Sequence, residues 1–283
     1  MLEFNCKAKQ PVFGLEIPII ISNNYSPVLK DFWGDELSDP CALFKKAQNI
    51  ARDCGAEFLS LYFNTLEPSD CEKKDLLNKY KNILESVLKI CKIPLMIRLS
   101  AHADWDIEMA NSLFEILDRE VIISPIQAAN YKELITASRS TSFDHKFVMR
   151  TPIDINLTKE LNILSVDEGV KPGDILIDPD MGCIGYGIDY GYSIIERICL
   201  AREAGDKMLD MPIIVYAGEE AYRAKETKST DFSAAWGELS ERAKMWEIST
   251  ASSLISAGAN VVVCWHPDVI KILKSQYCEV SCH

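Results

Sequence analysis

A (β/α)8 barrel, the TIM-barrel fold, is predicted for this chain, and three observations carry the prediction. Eight short apolar or alternating runs read as strands: Phe13–Ile20, Phe58–Phe63, Leu95–Leu99, Val121–Ile126, Phe147–Thr151, Ile175–Asp178, Ile213–Tyr216 and Val261–Trp265. Segments of helical spacing separate them. Strict alternation implies parallel strands joined by right-handed crossovers, and eight such units in 283 residues is the size of a closed barrel. A doubly wound open sheet is the alternative arrangement of the same elements. No linker, low-complexity tract or repeat beyond the β/α unit divides the chain, so a single barrel domain over 1–283 is expected.

The helical segments are Ala42–Cys54, Leu76–Cys91, Trp105–Arg119, Tyr131–Ala137, Leu157–Glu168, Tyr190–Leu209 and Ser240–Ala257, with Pro267–Cys278 closing the series. Asp39-Pro40 precedes the first and Gly55 follows it, Pro94 and Pro212 open strands, and Gly258 sits where a C-terminal glycine cap belongs. Two longer connections, 26–34 after the first strand and 218–236 after the seventh, fall on the same predicted face, and long connections in compact barrels are usually functional.

Composition narrows the function classes. The chain is 48% hydrophobic and carries a formal charge of -12 without local basic clusters, which argues against nucleic acid or an anionic membrane surface as partner. No apolar run is long enough to span a bilayer and the N-terminus lacks a signal-peptide pattern, so a cytoplasmic protein is expected. The ten cysteines are scattered without a C-x-x-C pair and read as thiols of a reducing compartment.

In a barrel, ligands meet the loops at the C-terminal strand ends. There this chain places Asn23-Asn24, Asn64, Ser100-Ala-His102, Gln127, Asp154 with Asn156, Asp178-Pro-Asp180, Gly218-Glu219 and Trp265-His266-Pro267. Asn and Asp dominate over Lys and Arg, a rim suited to a neutral or polar heterocycle. The densest stretch follows the sixth strand: Asp178-Pro-Asp-Met-Gly-Cys-Ile-Gly-Tyr-Gly187, running into a helix that carries Tyr190, Gly191 and Tyr192.

Gly182, Gly185, Gly187 and Gly191 match neither G-x-G-x-x-G nor the P-loop spacing, and no Lys-Ser/Thr follows, so phosphate is not the favoured ligand. The glycines read instead as a loop that lets backbone approach a large flat surface, with the tyrosines supplying apolar area and hydroxyls; a merely tight turn is the simpler reading. Asp154 and Asp178 suit either acid/base work or hydrogen bonding to a pterin-like amide edge, while Asp154 also fits a cap on the helix that follows. His102 and His266 lack metal-ligand spacing with any cysteine, the C-terminal Cys278-x-x-x-Cys282-His283 is equally weak, and no metal site is expected. The Gly-x-Ser-x-Gly elbow is absent.

Several ordered blocks resemble one family: Thr151-Pro-Ile-Asp-Ile-Asn-Leu-Thr-Lys-Glu-Leu-Asn162, Ile177-Asp-Pro-Asp-Met-Gly-Cys-Ile-Gly-Tyr-Gly187, Tyr192-Ser-Ile-Ile-Glu-Arg-Ile198, Gly205-Asp-Lys-Met-Leu-Asp-Met-Pro-Ile-Ile214, Gly218-Glu-Glu-Ala-Tyr-Arg-Ala-Lys-Glu226 and His266-Pro267. They are similar to the small (delta) subunit of the corrinoid iron–sulfur protein of the carbon monoxide dehydrogenase/acetyl-CoA synthase (decarbonylase/synthase) system, densely in the C-terminal half and loosely before it. The resemblance implies a barrel related to pterin-binding methyltransferases. It also implies a heterodimer with a large (gamma) subunit that carries a [4Fe-4S] cluster and a cobamide (cobalamin), the corrin lying between that subunit and the rim of the barrel.

By the same resemblance, the further partners are a methyltetrahydropterin:corrinoid methyltransferase and acetyl-CoA synthase. The role is to cap the corrin during methyl transfer, with no catalytic residues expected in this chain itself. Carried over by position, Asp178, Gly182, Gly185, Tyr186 and Gly187 face the corrin, with Asp154, Asn156 and His266 beside them. The chain departs from the family pattern at Asp180, Met181, Cys183, Ile184 and Trp265, and its third strand ends Arg98-Leu-Ser-Ala-His102. A free-standing pterin-dependent methyltransferase and a ligand-free barrel recruited as an interaction subunit are the alternative readings.

Overall fold

In the computed structural model, which describes residues 2–8, 10–19, 25–64 and 68–279, all eight expected strands form one parallel sheet. They are β1 (Val12–Pro18), β2 (Phe58–Tyr62), β3 (Leu95–Arg98), β4 (Ile122–Ile126), β5 (Lys146–Arg150), β6 (Ile175–Asp178), β7 (Ile214–Val215) and β8 (Val261–Cys264). The hydrogen-bonded order β6-β5-β4-β3-β2-β1-β8-β7 leaves β6 and β7 as neighbours at the seam. A parallel bridge between Ile177 and Ile213 joins them, with the Ile177 N–H donating to Pro212 O at 2.8 Å. The sheet is therefore a barrel rather than an open doubly wound sheet.

Alternation along each strand divides the apolar residues into two layers. Phe13, Leu15 and Ile17 of β1 join the large cluster between sheet and helices. Phe58, Met96, Ile122, Val148, Leu176, Ile214, Val261 and Val263 form a second cluster, the filled interior of the barrel. Phe4 packs edge-on to Phe58, with ring centroids 6.4 Å apart, and so helps close the N-terminal end. Each such side chain contributes about 1.5–3 kcal/mol by leaving water.

The outer helices are α1 (Pro27–Trp33), α2 (Pro40–Cys54), α3 (Asp70–Ile90), α4 (Ala103–Leu113), α5 (Tyr131–Ser138), α6 (Ile155–Asp167), α7 (Ile188–Glu203), α8 (Ala217–Arg223), α9 (Leu239–Ala257) and α10 (Pro267–Glu279). Asp39 caps α2 by accepting from the Cys41 and Ala42 N–H groups, and Gly55 ends it at φ 80°. Five local expectations are corrected. The long connection 26–34 contains α1, and 218–236 begins inside α8; both helices are too short for periodicity to reveal. The third helix starts at Asp70, where Ser69 and Glu72 form a capping box. The helix expected to reach Leu209 stops at Glu203, because Gly205 turns at φ 95°. The helix expected to reach Arg119 gives way to a 3-10 turn at Phe114. Ile20, Asn23, Asn24, Cys282 and His283 lie outside the described residues. Among the described residues, no helix is long and apolar enough to cross a membrane.

Candidate functional site at the C-terminal rim

The side chains that β1, β2, β3, β4, β5 and β6 turn inward near their C-terminal ends are polar, and with Tyr216 after β7 and Trp265 after β8 they fill the mouth of the barrel. Arg98 is 2% exposed and lies at the centre. Its Nη1 donates to Glu16 at 2.6 Å and its Nη2 to Glu219 of α8. Its guanidinium carbon lies 4.1 Å from the Tyr62 ring centroid and 3.9 Å from that of Tyr216. Ser60 and the Trp265 indole also donate to Glu16, at 2.7 and 2.8 Å. Tyr62 and Arg223 donate to Glu219, at 3.1 and 2.7 Å. Burial opposes the charge of Glu219, yet Arg98 and Arg223 hold its carboxyl down at about 2. Glu16, more deeply enclosed, is pushed up by burial, an effect Arg98 partly offsets.

A second group borders the first. Asp178 is 2% exposed; its Oδ1 accepts the Asp180 N–H at 3.0 Å, and its Oδ2 sits 3.7 Å from Arg150 Nε without a hydrogen bond among the described residues. Burial raises its pKa to about 6, against the pull of Arg150. Arg150 also pairs with Asp180, a non-glycine residue at φ 51°. Glu220, pushed up to about 7 by burial, completes the group.

The loop after β6 leaves this floor and climbs over α9. Met181 and Cys183 point inward and are buried, and burial pushes the Cys183 thiol up to about 11. Between them a Cβ on Gly182 would lie 2.0 Å from the Tyr186 carbonyl oxygen, so no other residue fits. Gly187 starts α7 at φ 86°. Trp246 of α9 anchors the loop by donating Nε1–H to Ile184 O at 3.1 Å. What remains on the outside is aromatic: Tyr186 is 50% exposed, Tyr190 64% and Tyr192 37%. Tyr186 donates its hydroxyl to Glu226 at 3.0 Å. Gly182→Ala is expected to dislodge the loop, seen as much faster proteolytic cleavage within 179–187, whereas Gly185→Ala, which meets only Trp246 at 3.7 Å, adds the left-handed penalty of about 1 kcal/mol.

Asp178 thus ends β6, and Gly182, Gly185, Tyr186 and Gly187 follow it in one loop. Asp154 lies on the neighbouring loop, where its carboxylate accepts from the Asn156 and Leu157 N–H groups at 2.7 and 3.1 Å and caps α6; Asn156 is exposed in the first turn. His266 is 5% exposed, its ring 5.0 Å from Phe32 of α1 and its Nδ1 accepting from the Asp268 N–H. Burial lowers its pKa to about 4, so it is neutral. The expectation of a rim poor in arginine is corrected: Arg98 and Arg150 occupy its centre. They escaped a survey of residues following the strands because they stand inside the strand runs, and a charge within an apolar strand was the signal available for them.

By its architecture the chain is a (β/α)8 barrel, a fold it shares with solved dihydropteroate synthases. The Xanthomonas albilineans dihydropteroate synthase solved with 4-aminobenzoic acid superposes with a TM-score of 0.65 at 13% identity, over 99% of this chain and 98% of that one. The Coxiella burnetii enzyme in complex with pteroic acid gives 0.62 at 11% identity, over 96% and 94%. Identities this low establish the fold alone. The chain belongs to the CO dehydrogenase/acetyl-CoA synthase delta subunit family, whose model matches residues 27–267. The acetyl-CoA decarbonylase/synthase complex subunit delta 1 of Methanosarcina thermophila is 30% identical over 254 residues, 87% of this chain and 56% of that protein. Subunit delta of Methanocaldococcus jannaschii is 25% identical over 248 residues, 87% of this chain and 59% of its own length. The chain thus spans little more than half the length of these relatives.

Proposed function

We propose that the C-terminal rim of this barrel covers a cobamide held by a large iron–sulfur partner subunit while a methyl group passes between a methyltetrahydropterin and acetyl-CoA synthase. The observation that carries this reading is the contrast at the rim: the mouth is packed with the chain's own side chains, whereas the glycine loop and the start of α7 beside it present three exposed tyrosines. A filled mouth with an aromatic lip offers a surface to lay against a flat ligand. Family membership supports the setting, a subunit of the decarbonylase/synthase complex.

The residues present fit a corrin face. Gly185 and Gly187 turn the loop at φ 80° and 86°, and Tyr186 and Tyr190 supply exposed apolar area with a hydroxyl at the edge. Met181 and Cys183, where the chain departs from the family pattern, point into the core, so these two changes do not alter the exposed lip. Bound cobamide supplies the cobalt that accepts and releases the methyl group. The work of this chain's residues is to exclude water and oxidants from that face and to separate from it when the next partner arrives.

The double substitution Tyr186→Ser, Tyr190→Ser tests the reading. Both rings are exposed, so the stability of the isolated chain is expected to change by less than about 0.5 kcal/mol each. Affinity for the cobamide-loaded partner is expected to fall tenfold or more, as when aromatic anchors are removed from an interface. Unchanged affinity, measured by titration calorimetry, removes the lip from the interface.

A further inference from the structure

The environment of Arg98 is that of a ligand. A flat guanidinium lies beside the Tyr62 and Tyr216 rings, at 4.1 and 3.9 Å from their centroids. Two carboxylates accept from its N–H edge, Glu16 at 2.6 Å and Glu219. Each carboxylate is itself oriented, Glu16 by Ser60 and the Trp265 indole, Glu219 by Tyr62 and Arg223. The walls come from β1, β2, β3, α8 and the residues that end β7 and β8, so the enclosure belongs to the barrel as a whole and not to one loop. Aromatic faces with carboxylates on the N–H edge are what recognise any planar guanidine, free or fused into a 2-aminopyrimidinone ring.

We propose that the barrel mouth is a guanidine-type binding cage whose occupant is the chain's own Arg98, and that this occupancy shuts the mouth to planar 2-aminopyrimidinone heterocycles, pterins among them. The arginine is tethered to the floor of the cage by β3, so its local concentration exceeds that of any millimolar solute. Among the described residues it is enclosed, at 2% exposure. A ligand could take its place only if both carboxylates were recruited at once, since expelling the guanidinium alone would leave Glu16 buried without a counter-charge and Glu219 with Arg223 alone. This inference is independent of whether the rim covers a cobamide.

An ordinary ion pair and a cage for a planar group differ in what can replace Arg98. The full chain carrying Arg98→Ala is titrated with methylguanidinium chloride and, at equal ionic strength, with methylammonium chloride, and melting temperature is followed. Expected is a saturable rise with methylguanidinium, little with methylammonium, and none with either for the wild-type chain. Where Arg98→Ala does not accumulate folded, its recovery on dilution from urea is compared in the two salts, and selective recovery in methylguanidinium is the expected result. Equal response to both cations, or to neither, overturns the cage. Saturable uptake of 2-amino-4-hydroxypteridine by the wild-type chain, lost in Glu219→Gln, overturns the occlusion.

Discussion

Arg98→Met is expected to destabilise the chain by about 3–5 kcal/mol, because it leaves two buried carboxylates facing each other without their shared counter-charge. Glu16 and Glu219 are 0% and 4% exposed, so water cannot substitute for the guanidinium. Arg98→Lys is expected to recover only part of this loss: an ammonium restores the charge but neither the forked donation nor the stacking. The triple variant Arg98→Met, Glu16→Gln, Glu219→Gln removes the uncompensated charges and is expected to regain most of the difference. Urea midpoints for the wild type and the three variants, taken at one pH, check the order. If the Arg98→Lys variant matched the wild-type midpoint, charge alone would account for the site.

The second large effect is a loss of stability as pH rises from 6.5 to 8, and its source is Glu247. This carboxyl is fully buried on α9, where it accepts the Trp265 N–H at 2.6 Å and the His266 N–H at 3.3 Å, fixing the turn from β8 into α10. Burial raises its pKa to about 8, from an ordinary 4.5. An acid raised on folding keeps a proton that the unfolded chain has released, so its contribution falls as pH climbs from 4.5 to 8. The buried histidines His145 and His266, both lowered to about 4 by burial from an ordinary 6.5, oppose this loss only at the bottom of the window, where the unfolded imidazoles are still partly protonated. At about 1.4 kcal/mol per unit of pH, the loss attributable to Glu247 over this window is about 2 kcal/mol. Glu220, at about 7, adds a smaller part at the lower end of the window. Glu247→Gln keeps an acceptor for the two N–H groups and removes the titration. Its urea midpoint is expected to vary much less between pH 6.5 and 8 than that of the wild type, and an unchanged slope would place the titration elsewhere.

Both effects arise from residues that the pattern of the sequence concealed. The barrel itself was legible: eight apolar runs at regular intervals correspond to eight strands, since strand and helix periodicities follow directly from which face is buried. The glycine loop was legible as well, because Gly182 and Gly187 mark places where a side chain cannot fit or the backbone turns left-handed. Glu16 and Arg98 were absorbed into strand runs because they stand alone among apolar neighbours. Their meaning depends on contacts between residues 82 apart in the chain, and for Arg98 with Glu219 121 apart. The role of His266 was equally hidden, since its burial depends on the ring of Phe32, which a short helix in a presumed loop brings over it. Asp154 was readable both as a cap and as a rim ligand, and the distances to Asn156 and Leu157 place its Oδ1 in the capping role.

The barrel mouth is a finished piece of core, and the exposed tyrosines beside it are the surface we propose for a partner. The measurement that tests this most directly is co-expression of the chain with a cobamide-carrying large iron–sulfur subunit, followed by size-exclusion chromatography with the corrin absorbance recorded across the peak. The account predicts a one-to-one complex containing the corrin, weakened by Tyr186→Ser with Tyr190→Ser. Elution of the chain alone beside a folded, corrin-loaded partner would contradict it.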